Sequence, residues 1–61
     1  ISLENIRRVF LRTSSVVFQY FGDEPETVVL AKSERHAQIA LDLVFVAMKE
    51  NKPTLEIKEL A

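Results

Sequence analysis

Residues 33–53 run SERHAQIALDLVFVAMKENKP, and every local signal in them agrees on a helix. Ser33 is a good N-cap, because its hydroxyl can accept a hydrogen bond from one of the free first-turn amides. Glu34 places a negative charge at the positive end of the helix dipole. Lys49 and Lys52 place positive charge at the other end. Pro53 cannot continue a helix and restricts Lys52 before it. Start, body and stop together predict a helix over residues 34–51.

The stretch before this helix reads as a hairpin. Val16, Val17, Phe18, Tyr20 and Phe21 are β-branched or aromatic, interrupted only by Gln19. Gly22-Asp23-Glu24-Pro25-Glu26 is turn chemistry, and residues 27–31 supply the return strand. After the helix, Leu55 and Ile57 alternate with Glu56 and Lys58, the pattern of a half-buried strand over 54–60. Residues 1–12 admit two readings. Leu3, Ile6 and Phe10 would line one helical face, whereas Val9, Phe10 and Leu11 suit a sheet and Thr13-Ser14-Ser15 suits a turn. The strand reading, over 6–12, is preferred. The order is therefore β-β-β-α-β. This is an α+β class with a small antiparallel sheet and one long helix packed on a face, and residues 1–61 are expected to form one small domain.

Hydrophobic residues make up 48% of the 61, charged residues 28%, and cysteine is absent. This is a globular balance, with no material for a disulfide framework, a Cys-containing zinc finger or a thiol nucleophile. The longest apolar run, residues 43–48, is far short of a membrane span, and no basic-then-apolar signal segment opens the chain. A cytoplasmic setting is the default expectation. The first residue is Ile1 rather than methionine. A chain of this length exposes roughly 10,000 Å² unfolded and roughly 4,000 Å² folded. Apolar burial then contributes roughly 90 kcal/mol, and chain ordering opposes it by roughly the same amount. With no disulfide to help, association with another copy becomes a natural source of stability.

The helix carries more apolar surface than one sheet can use. Wound at about 100° per residue, Ala37, Ala40, Leu41, Val44, Phe45, Ala47 and Met48 form a stripe wide enough to cover a sheet. Ile39, Leu43 and Val46 fall on the other side. Only Arg35, Gln38, Asp42 and Lys49 form a clean polar wedge. The sheet repeats the theme. Val16, Phe18 and Tyr20 point to one face and Val17, Gln19 and Phe21 to the other, so both faces carry large apolar groups. Exposed apolar area of this kind marks a partner surface. Ile39, Leu43 and Val46, with His36 at the rim, are the candidate protein interface, and a homodimer is the leading expectation, ahead of cover by the N-terminal segment of the same chain or by a different protein.

Residues that carry chemistry are few. His36 is the only histidine; Glu34 and Asp42 face elsewhere on the helix, so no orienting acid or second metal ligand accompanies it. Asp23, Glu24 and Glu26 lack the loop spacing of a calcium site. Ser14, Ser15 and Ser33 have no His or Lys arranged around them. No phosphate-binding loop, dinucleotide fingerprint or zinc-protease motif occurs. Net charge is −1, unevenly spread: a basic start with Arg7, Arg8 and Arg12, and an acidic middle. The three arginines are the best candidate nucleic-acid contacts, two of them sharing a strand face. No catalytic, cofactor-binding or metal-binding residue is assigned, and no cofactor is expected. The sequence thus points to a small self-associating protein-binding or regulatory module. The alternatives are a nucleic-acid-binding regulator using the arginine-bearing strand, or a structural subunit of a larger assembly.

Overall fold

The computed structural model describes residues 1–56. Its elements are β1 (Ile6–Arg12), β2 (Ser15–Tyr20), β3 (Thr27–Leu30) and α1 (Glu34–Lys49). The strands form one antiparallel sheet in the order β1-β2-β3, with α1 against one face. The α+β architecture expected from the sequence is the one observed, and residues 6–12 are a strand.

The two hairpins have different turns. Arg12 pairs with Ser15, so Thr13 and Ser14 alone connect β1 to β2. Thr13 takes a left-handed φ of 56° to close that loop, an uncommon conformation for a β-branched residue. Gly22, at φ 82°, turns the chain out of β2, and pairing resumes at Phe18 with Thr27. The β1–β2 register shifts between Ile6 and Arg8. Ile6 pairs with Tyr20 and Arg8 with Gln19, which leaves Arg7 without a cross-strand partner.

Alternation along the strands produces two unlike faces. Val16, Phe18 and Val29 meet Ala37, Ala40, Val44 and Ala47 of α1, and Leu3 and Leu55 close the same core. Ile6, Val9, Leu11, Tyr20 and Leu41 pack around its margin. The helix meets the sheet through three alanines and one valine, which lets its backbone approach closely. Phe45 and Met48, expected in the sheet-covering stripe, are instead exposed. The stripe is rotated toward Ala40 and Ala47, and the larger groups are pushed to its flank.

The other face of the sheet is covered only at its centre. Val17 lies in register between Phe10 and Val28 and has 0% exposure. The Arg8 guanidinium stands 4.5 Å from the centroid of the Phe10 ring, and that of Arg12 5.5 Å. Arg12 continues to Glu26 at 3.7 Å, an ion pair that crosses the central strand. Val17 itself is thus covered within the chain, whereas Phe21, Val28 and Leu30 are exposed, as an outer face with large apolar groups leads one to expect.

Ser33 caps α1 as expected, its Oγ accepting from the His36 amide at 3.2 Å. The helix ends two residues before the expected 51. Asn51 turns left-handed at φ 60°. The Lys52 amide then donates to the Ala47 carbonyl and the Asn51 amide to that of Met48, each at 3.0 Å. That pair of bonds is the Schellman arrangement, so Asn51 stops the helix before Pro53 is reached.

The expected last strand, over 54–60, lies mostly outside the described residues. Its described start pairs with the beginning of the chain. Thr54 forms an isolated antiparallel bridge with Ser2. Leu3 donates to the Pro53 carbonyl, and Leu55 to that of Ile1, each at 2.8 Å. This clasp draws Leu3 and Leu55 into the core.

Candidate interaction surface

Ile39, Leu43 and Val46 occupy successive turns of α1, spaced four and three residues apart, so they share one outward stripe. Their exposures are 51%, 43% and 52%. None is tucked beneath the other described residues. The opposite flank exposes Phe45 and Met48, and Gln38 and Asp42, 3.4 Å apart, belong to the polar wedge between the flanks.

The stripe runs into a groove. After the Asn51 turn the chain doubles back, bringing Lys52 and Leu55 beside the C-terminal half of α1. Together with Leu43, Val46 and Ala47 they line a mainly apolar depression of about 320 Å³. Sequence periodicity showed the stripe but missed the groove, because the groove depends on the reversal at Asn51. An asparagine just past the last apolar turn was the available signal.

Charge is arranged along the stripe's ends. Arg35 and His36 straddle it at the N-terminal end, and Glu50 continues it at the C-terminal end; all three are exposed. Glu50 has Lys52 at 4.0 Å, with both side chains more than half exposed. The His36 ring is held by the cap, its Nδ1 lying 2.8 Å from Ser33 Oγ. No group of three His, Cys, Asp or Glu residues that could hold a metal occurs among the described residues.

The arginines divide between two settings. Arg8 and Arg12 flank Phe10 on the outer sheet face, as the alternation predicts. Arg7, at the register shift, lines a shallow polar dent with Gln19, Tyr20, Glu24 and Glu26. The acidic turn therefore faces the basic strand within one chain, with Arg12 and Glu26 as the closest pair. Tyr20 at the dent's edge has its hydroxyl pushed above the ordinary phenol range. Burial is the main cause, opposed by a hydrogen bond with Thr27 and aided by the Glu24 charge.

No helix among the described residues is long and apolar enough to cross a membrane. No protein-family model matches the chain, and no curated protein or solved structure matches it either.

Proposed function

We propose that this chain is a small self-associating binding module without catalytic activity, which pairs with a second copy through the outward stripe of α1. The observation that carries the reading is the half-exposure of Ile39, Leu43 and Val46 on one helix face beside an apolar groove. Large apolar groups gathered in this way gain by leaving water together. His36 is a rim residue in this reading, tied to the helix cap.

Sedimentation velocity across the micromolar range is the direct test. The wild-type chain should shift from monomer toward dimer as concentration rises. Val46→Glu should remain monomeric at the highest concentration, because it sets a charge where the stripe meets the groove. A wild-type chain that stays monomeric throughout overturns the reading.

The arginine-bearing strand favours a second reading, nucleic-acid binding, through the grouping of Arg8 and Arg12 around Phe10. It has weaker support, since Glu24 and Glu26 lie close to the same arginines and would repel phosphate. A mobility shift of short duplex or single-stranded DNA at low salt, lost in Arg8→Ala, would favour it.

A further inference from the structure

We infer that the two copies pack with their α1 helices antiparallel, about a two-fold axis passing near Asp42 and Leu43, each copy seating its Ile39 in the other's groove. This rests on the self-association proposed above and specifies its geometry.

The argument starts from the unequal halves of the stripe. The C-terminal half is concave, with the groove lined by Leu43, Val46, Ala47, Lys52 and Leu55. The N-terminal half projects Ile39, half-exposed. A two-fold interface is self-complementary: whatever one copy offers, the other must receive. A protruding group at one end and a hollow at the other satisfy that condition only when the helices run in opposite directions. Parallel packing would set Ile39 against Ile39 and hollow against hollow.

Charge selects the same direction independently. In the antiparallel arrangement Glu50 of each copy, with Lys52 beside it, comes next to Arg35 of the other, so a carboxylate meets a guanidinium at both ends. A parallel arrangement sets Glu50 against Glu50 and Arg35 against Arg35. Like charges placed together are a penalty on the wrong orientation, whereas opposite charges at a rim mainly fix register. The existing contact of Glu50 with Lys52 is long and exposed, and weak enough to give way or be shared. The same axis that matches Ile39 with the Val46 end of the groove also matches Arg35 with Glu50. The shape argument and the charge argument therefore give one register.

Charge exchange in the full chain tests this. By sedimentation at low salt, Arg35→Glu and Glu50→Arg should each weaken association by about three- to tenfold. The double variant should return to within about twofold of wild type, because both contacts are rebuilt with their signs reversed. Cysteine pairing gives a second readout, since the chain has no cysteine of its own. Arg35→Cys mixed with Glu50→Cys should yield a mixed disulfide-linked dimer on mild oxidation, while each variant alone links poorly to itself. Association without rescue in the double variant, or efficient self-linking of Glu50→Cys alone, overturns the antiparallel geometry and leaves self-association standing. A monomer at every concentration removes both.

Discussion

Tyr20 ties together parts of the chain that are distant in sequence. Its hydroxyl donates to the Ser2 carbonyl at 2.8 Å, holding the first residues against the end of β2. In the unfolded chain this phenol ionises around the ordinary 10.0; in the folded chain it ionises later. Below that ordinary value both states keep the proton, and the group's contribution to stability is fully present. Above it the unfolded state gives up its proton first, so stability falls as pH rises toward the folded value. The unfolding midpoint should therefore drop more steeply above pH 10 in the wild type than in Tyr20→Phe. At neutral pH the variant should lose about 1 kcal/mol or less, the worth of one partly exposed hydrogen bond. As the only tyrosine, Tyr20 can be followed directly by ultraviolet titration of the folded chain, whose midpoint should lie above 10.0. A midpoint at or below that value would contradict the burial argument.

The elements were legible from the sequence to different degrees, for physical reasons. The strand over residues 6–12 and the Ser33 cap follow from local chemistry, and both are observed. The helix's packing face was less legible, because periodicity finds an apolar stripe but not its centre. Phe45 and Ala40 score alike as apolar, yet one is exposed and the other 1% exposed. What separates them is the distance between helix and sheet, a property of the packed pair. The outer sheet face shows the same limit. Val17 read as exposed because nothing local indicates that Arg8 and Arg12 fold over Phe10 and that Glu26 meets Arg12. The outward stripe was legible because Ile39, Leu43 and Val46 are apolar wherever the core centre falls. The groove beside it was not, being built by a chain reversal. If α1 rides close on its alanines, Ala40→Leu must push helix and sheet apart. It should cost about 1–3 kcal/mol by urea unfolding, although leucine is nearly as good a helix former as alanine. An unchanged midpoint would mean that the helix stands off from the sheet.

At the scale of the whole molecule, the core of the described residues is small and made largely of valines and alanines, with Phe18 as its largest fully buried side chain. The clasp between the first residues and residues 53–55 adds Leu3 and Leu55 to it, but no covalent link supports the fold. Stability of such a chain should depend measurably on its own concentration if the α1 stripe is covered by a second copy. Anything that binds only the folded state stabilises it by mass action, by about 2.7 kcal/mol at a hundredfold excess over the dissociation constant. In a domain of this size each kcal/mol moves the thermal midpoint by about 4–8 °C. The wild-type midpoint should therefore climb by several degrees over a hundredfold rise in concentration. Val46→Glu should show a flat midpoint, close to that of the wild type at its most dilute. Val46 is 52% exposed in a single copy, so its replacement removes little from that copy's own core. This separates interface from core. A core residue would lower the dilute-limit midpoint, whereas an interface residue lowers only the slope with concentration. A flat wild-type profile would show that the exposed stripe contributes nothing through self-pairing.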